Sequence, residues 1–231
     1  MVMRKTLAGV SAALIAATLS VATITPALAD TPESQDWSQQ REWFSDYGVS
    51  AAHQNTLIET LDAGGVIDSM RSGAVPIDEK VIESAEATTT ITTFADFSVS
   101  VGTVQKPTEN PGKAIQPRAI AGCSTYSSGG AVSYQNCQIS QSNGTVTMKF
   151  KADYSRWASG ASISNWREAN AVVNYGSATT PDWSFIRSTA TVTTPATVTA
   201  HSRYTSYNGA GSEELYLSLR VSSTQAWTTT Y

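Results

Sequence analysis

The stretch 145–154, TVTMKFKADY, decides the fold class of this chain. Apolar and polar side chains alternate along it at every second position. The apolar set is Val146, Met148, Phe150, Ala152 and Tyr154. A period of two places alternate residues on opposite faces of a β-strand, so this stretch predicts an antiparallel strand with one face in a core and the other in solvent.

Similar patterns surround this strand and continue toward the C-terminus. Further strands are predicted at 131–139, 163–175, 183–194, 197–207 and 214–222. Glycine, proline and Asn-Gly turns separate them, which is the spacing typical of an all-β sandwich. We therefore expect residues 119–231 to form an antiparallel β-sandwich domain.

The sequence before this domain predicts a small helical hairpin. In the acidic segment 30–86, Trp37, Phe44 and Tyr47 fall on one helical face, and Ser50 is placed to cap a second helix that ends at Gly64. The remainder, 68–86, is interpreted as a connection. The chain is thus expected to be mainly β, with a C-terminal antiparallel β-sandwich and a small N-terminal helical hairpin.

Two further segments join these parts. Residues 87–105 are rich in Thr, Val and Phe around a turn at Ala95 and Asp96, which predicts a β-hairpin. Residues 106–118 contain three prolines and one glycine, and we expect them to form an exposed, Pro-rich linker.

The first 29 residues have the pattern of a signal peptide. Arg4 and Lys5 precede an apolar run, and Ala27-Leu28-Ala29 is a small-x-small cleavage site before Asp30. No later apolar run reaches the roughly 18 residues that a membrane-spanning helix needs. The mature chain is expected to be secreted and extracellular, with no membrane span after signal removal.

The two cysteines, Cys123 and Cys137, are expected to form a disulfide outside the cell. A short loop closed in this way stabilises a fold by about 3 kcal/mol. The two histidines, His53 and His201, show no metal-ligand spacing to the cysteines. No metal and no cofactor are predicted.

No catalytic residues are predicted. Neither histidine lies in a nucleophile or zinc motif, and His201 is expected on the solvated face of its strand. The carboxylates of residues 119–231 include Asp153, Asp182 and Glu214, but carboxylates alone do not identify a glycosidase. We therefore do not expect an enzyme.

Aromatic side chains are the remaining candidates for ligand binding. Extracellular sandwiches use exposed tryptophan and tyrosine as flat platforms for sugar rings or protein partners. The candidates chosen here are Trp157, Trp183, Tyr204 and Tyr207, with the two tryptophans favoured because each adjoins a turn. Packing at a strand edge or in the core is the alternative for each of them.

Charge divides the mature chain into two parts. Residues 30–118 carry a net charge of −8 and residues 119–231 a net charge of +2. Scattered cations at this density argue against a nucleic-acid partner. Opposite signs fit docking of the first part on the second, and they also fit two separately solvated modules.

Several short motifs resemble a group of secreted proteins from high-GC Gram-positive bacteria. They are Tyr47-Gly48-Val49, 57–64 (LIETLDAG), Ala95-Asp96 followed by 98–101 (SVSV), Gly122-Cys123 and Asn136-Cys137. The resemblance implies export and a shared architecture, and it supplies no catalytic or binding residue.

Three functional hypotheses follow from the sequence. The first is a secreted, non-catalytic protein that binds an extracellular polymer, such as a cell-surface polysaccharide, or a protein. The second is a precursor in which the acidic part of the mature chain up to Arg118 is a pro-region for the β-domain, released by cleavage in the linker near Arg118. The third is a hydrolase or a pore-forming toxin with Ser/Thr-rich strands.

Overall fold

A computed structural model describes residues 35–107 and 122–229, which fold into two antiparallel β-sheets and two short helices. The predicted signal peptide (1–29) lies outside the described residues. Only Lys106 and Pro107 of the predicted linker are described, so the proposed cleavage position near Arg118 lies outside them as well.

The helices come first in the chain and the strands follow. The helices are α1 (Ser38–Asp46) and α2 (Ala51–Asp62), followed by a 3₁₀ turn (Asp68–Met70). Sheet A contains β1 (Pro76–Glu83), β2 (Ala87–Phe94), β3 (Val99–Gln105), β4 (Ser124–Ser128), β5 (Ala131–Ser142), β6 (Val146–Trp157) and β7 (Gly160–Val173). Sheet B contains β8 (Ser177–Ala178), β9 (Asp182–Arg187), β10 (Ala196–Thr205), β11 (Ser212–Val221) and β12 (Ala226–Thr229).

The strand order follows from antiparallel pairing of chain neighbours, with one insertion. Sheet A has the order β1-β2-β3-β5-β6-β7. β4 pairs with the same edge of β5 as β3 does, but with the first half of β5, whereas β3 pairs with the second half. Sheet B has the order β12-β11-β10, and both β9 and β8 pair with the far edge of β10. This arrangement is a sandwich of two antiparallel sheets.

The core lies between the two sheets, as the alternating pattern predicts. Along β6 the even-numbered residues from Val146 to Tyr154 are buried and the odd-numbered ones are half-buried. Phe150 meets the inner face of sheet B, where Leu217 and Leu219 are fully buried. The predicted fold class, mainly β with an antiparallel sandwich and an N-terminal helical hairpin, is confirmed.

The helical hairpin shares this core. The amide of Gln40, a fully buried α1 side chain, donates to the carbonyl of Asn143 at 3.2 Å and accepts from the Thr145 hydroxyl at 3.2 Å. Both partners lie in the turn between β5 and β6. Gly144 in that turn has φ +83°, and a Cβ there would come within 2.4 Å of the Gln40 amide nitrogen. Glycine is therefore needed where α1 docks.

Two sequence predictions differ from the structure. Residues 76–83, predicted as part of a connection, form β1. All eight residues of β1 are exposed, so the segment lacks the apolar–polar alternation that predicts a half-buried strand. The predicted strand 183–194 ends at Arg187 in the structure. Beyond it the backbone turns toward sheet A, where the Ser188 carbonyl accepts from the Ile163 amide at 2.8 Å.

Backbone irregularities concentrate on both sides of β6. Bulges in β5 and β7 place Asn136, Asn165 and Glu168 at positive φ, between 49° and 57°. Asp153 of β6 accepts hydrogen bonds from the Asn136 amide at 2.7 Å, from Asn165 at 2.9 Å and from Arg167 at 3.2 Å. Partial burial acts to raise the pKa of Asp153, but these hydrogen bonds outweigh it and hold the pKa below its usual range.

The predicted disulfide is supported by the structure. Cys123 and Cys137 are bonded, with their Cα atoms 4.1 Å apart. The bond attaches the residue before β4 to the middle of β5, next to the bulge at Asn136. Within the described ranges, no helix combines the length and the apolar character needed to cross a membrane.

Candidate functional site

The two tryptophans predicted as binding candidates, Trp183 and Trp157, both pack against neighbouring residues. Trp183 lies in β9 opposite Ala200 and meets Phe150 edge-on, with 5.3 Å between ring centroids. Trp157 closes the turn between β6 and β7 and covers Gly160, where an added Cβ would approach its ring to 2.8 Å. Adjacency to a turn therefore did not make either ring a freely exposed platform.

The two tyrosines also have structural partners. Tyr204, a predicted ligand-binding candidate, is only 1% exposed because its side chain points between the sheets, so it offers no surface platform. Its hydroxyl donates to the Tyr175 carbonyl at 2.9 Å, and burial raises its pKa to about 12. Tyr207 is 39% exposed, but its hydroxyl donates to the Asp62 carbonyl at 2.9 Å. It ties α2 to the turn after β10.

A cleft on the outer face of sheet B is the candidate site, and we call it the outer-face cleft. It has a volume of about 650 Å³ and is formed by β9, β10, β11 and the segment before β10. The hydroxyls of Thr199 and Ser218, paired across β10 and β11 at 2.7 Å, form its floor. Both residues are buried although they face away from the core, because the surrounding side chains rise above them.

A bulge provides the aromatic wall of the outer-face cleft. Trp183 pairs with Ala200, and Phe185 pairs with Thr199, so two residues of β9 match one residue of β10. Without this extra residue Phe185 would face inward like Trp183. The shift instead turns Phe185 to the outer face, where it remains 44% exposed. Tyr216 of β11 also lines the cleft.

All charged residues in the described lining of the outer-face cleft are positive. The described residues that line it include two arginines, Arg187 and Arg220, and no carboxylate. The guanidinium carbon of Arg187 lies 5.2 Å from the centroid of the Phe185 ring. This cation–π contact holds a positive charge at the aromatic wall. The cleft therefore offers flat apolar, hydroxyl and cationic groups together.

His201 lies between two carboxylates and contacts Tyr216, which lines the outer-face cleft. His201 Nδ1 lies 3.0 Å from an Asp182 oxygen, and its Nε2 lies 2.6 Å from a Glu214 oxygen. Arg203 contacts the second Glu214 oxygen at 3.4 Å, and the rings of His201 and Tyr216 are 4.9 Å apart. Asp182 begins β9, so this contact fastens the start of that strand to β10 and β11.

These neighbours control the charge of His201. Partial burial acts to lower its pKa, but the hydrogen bonds with Asp182 and Glu214 outweigh burial and raise the pKa above its usual value. The protonated imidazolium donates from both nitrogens, which matches two carboxylate acceptors. The sequence placed His201 on an outward face, but it did not reveal these partners because they belong to different strands.

Neither a hydroxyl–histidine pair nor a metal-ligand cluster is found among the described residues. Both His201 nitrogens are occupied by carboxylates, and no serine or threonine hydroxyl is hydrogen-bonded to either histidine side chain in 35–107 or 122–229. No group of His, Cys, Asp or Glu in the same ranges has the geometry to hold a metal ion.

A second and larger groove, of about 1080 Å³, lies between β12 and the β1–β2 hairpin. Its lining carries Glu79, Glu83 and Glu86 together with Lys106 and Arg156. Lys106 forms an ion pair with Glu83 inside this lining. Because its charges have both signs and partly neutralise each other, this groove indicates no single ligand chemistry.

No protein-family model matches the chain, and comparison with curated proteins and with solved structures finds no match. Function is therefore argued from the geometry of the outer-face cleft.

Proposed function

We propose that the mature chain is a secreted, non-catalytic protein that binds an acidic polysaccharide in the outer-face cleft. One observation carries this proposal. The cleft combines the exposed Phe185 ring, the half-buried Tyr216 ring and paired hydroxyls with two arginines, and its described lining contains no carboxylate. A ligand that fits these groups has flat apolar faces, many hydroxyls and negative charge.

Each part of the cleft has a role in this proposal. The Phe185 ring offers a face on which the C–H side of a sugar ring can stack. The Thr199 and Ser218 hydroxyls, which are buried and bonded to each other, form a polar floor beneath the bound sugar. The guanidinium of Arg187 matches a uronate or phosphate group in a bidentate contact.

Two observations support an extracellular location for this activity. The disulfide between Cys123 and Cys137 is typical of proteins that fold in an oxidising compartment. The predicted signal peptide ends at Ala29. Expression in a secreting bacterial host, followed by N-terminal sequencing of the protein from the medium, tests this part. A retained N-terminus and a cell-associated chain would contradict it.

Binding is tested with polygalacturonate as the acidic probe and dextran as the neutral one, by affinity electrophoresis and calorimetry. We expect retardation by polygalacturonate only. Phe185→Ala and Arg187→Gln should each weaken binding by about tenfold, the effect of removing a central contact residue. Tyr126→Ala is the matched control, because Tyr126 is 66% exposed on β4, away from the cleft. Equal binding by all variants, or binding by none, would contradict the proposal.

The precursor hypothesis receives no support from the position of the acidic segment. β3 pairs with β5 as well as with β2, and Gln40 of α1 is bonded to the turn between β5 and β6. Removing the segment would uncover one side of β5 and part of the core. The hydrolase and toxin hypotheses likewise gain no specific observation from the described residues.

A further inference from the structure

The outer edge of β1 is an unpaired edge of sheet A. β1 pairs with β2 on one side, and no described strand pairs with its other side. All eight of its residues are exposed, among them Ile77 at 57%, Val81 at 54% and Ile82 at 40%. An exposed edge of this length with apolar side chains is a template for pairing with another strand.

In the β1–β2 hairpin, the alternation of hydrogen-bonded residue pairs shows which backbone groups of β1 face its unpaired edge. The Ser84 amide donates to the Ala87 carbonyl at 2.9 Å, so these two residues form a hydrogen-bonded pair. Such pairs alternate along an antiparallel ladder, and Lys80 therefore directs its amide and carbonyl toward β2. Glu79 and Val81 direct theirs toward the open edge.

We propose that two copies of this chain associate by antiparallel pairing of their β1 edges, with Glu79 of one copy opposite Glu79 of the other. In this register Ile77 lies opposite Val81 of the second copy, and Asp78 lies opposite Lys80. The two-fold symmetry repeats each pair, which gives two apolar and two opposite-charge pairs on either side of the central Glu79–Glu79 pair.

Charge selects this register and this partner. Moving the symmetry point by one residue places Lys80 opposite Lys80, and moving it by two places Glu79 opposite Glu83 twice. Like charges directly opposite each other destabilise a strand pair. The proposed register contains one such pair, Glu79 with Glu79, which its two opposite-charge pairs offset, whereas neither shifted register contains an opposite-charge pair. When β1 pairs with its own reverse in this register, Asp78 and Lys80 lie opposite each other twice, so a second copy of β1 supplies a matching charge at both positions. The same charges discourage pairing with unrelated strands.

A charge swap tests this association in the full mature chain. Sedimentation equilibrium up to about 1 mM protein should show a monomer–dimer equilibrium. Asp78→Lys and Lys80→Asp each convert both opposite-charge pairs into like-charge pairs, and each should raise the dimer dissociation constant at least about tenfold. The double variant Asp78→Lys with Lys80→Asp restores both pairs and should return the constant to within about threefold of the original.

Two further variants separate edge pairing from other effects. Val81→Pro removes an amide that faces the open edge while leaving the β1–β2 hydrogen bonds in place, and it should abolish the dimer in a chain that keeps its native circular dichroism. Lys149→Asp, a charge change on β6 in the interior of sheet A, should leave the dissociation constant unchanged. A monomer at every concentration, or a double variant no better than the single ones, would overturn the proposal.

Discussion

Replacing Gln40 with leucine tests whether the helical hairpin is a built-in part of the sandwich. The side chain is fully buried, and its amide makes two hydrogen bonds to the turn between β5 and β6, 103 and 105 residues further along the chain. Leucine fills a similar volume but offers no partner to the Asn143 carbonyl or to the Thr145 hydroxyl.

The expected loss follows from these two groups. A buried polar group that loses its partner costs about 1–3 kcal/mol, and the added apolar surface of leucine offsets part of this. We expect the free energy of unfolding to fall by about 2–4 kcal/mol. In a chain of this size that corresponds to a decrease in Tm of about 5–15 °C.

Gln39→Leu is the matched control, because Gln39 is the neighbouring residue on the exposed face of α1. Calorimetry and urea unfolding of the two variants give the comparison, and the control should stay within about 0.5 kcal/mol of the original protein. Equal stability of the two variants would refute the reasoning, since it would mean that the Gln40 contacts contribute nothing to the folded state.

Three further predictions address other parts of the molecule. Cys137→Ser opens the loop of sequence separation 14 and should lower the free energy of unfolding by about 3 kcal/mol, measured by calorimetry, while polysaccharide binding by the folded variant is retained; loss of binding would contradict a purely structural bond. Because the pKa of His201 is raised by folding, its contribution is present below the unfolded pKa and is lost as pH rises through the folded pKa; the stability difference between the original and His201→Gln should therefore shrink as pH rises above the unfolded value of about 6.5, and a constant difference would contradict the ion pairs. Cutting at a protease site engineered into 108–121 should leave both fragments in one gel-filtration peak under native conditions, because β3 pairs with β5; separation would revive the precursor hypothesis.

The fold class was predictable because most of its elements leave a periodic trace. β6 alternates since one of its faces is buried, and α2 begins at the Ser50 cap that the sequence indicates. β1 leaves no such trace, because both of its faces are exposed and its apolar side chains are mixed with charges. The backbone of β1 is held as a strand by its hydrogen bonds to β2 and not by burial of its side chains.

The site was harder to predict because it depends on pairing between strands. A bulge, invisible in the sequence, turns Trp183 inward and Phe185 outward. The contacts of His201 with Asp182 and Glu214 depend on the register of three strands. The residue types were all visible, but their convergence was a property of the folded sheet.

The contacts between the start and the end of the described chain have a kinetic consequence. Gln40 bonds to a residue 103 positions away, and Tyr207 bonds to Asp62 across 145 positions. Closing such long loops before the contacts can form slows folding, and all-β chains of this kind fold in about milliseconds to seconds. The Asp62 contact of α2 can form only after β10 and the turn that follows it are available, so the docking of the helical hairpin is expected to be a late step of folding.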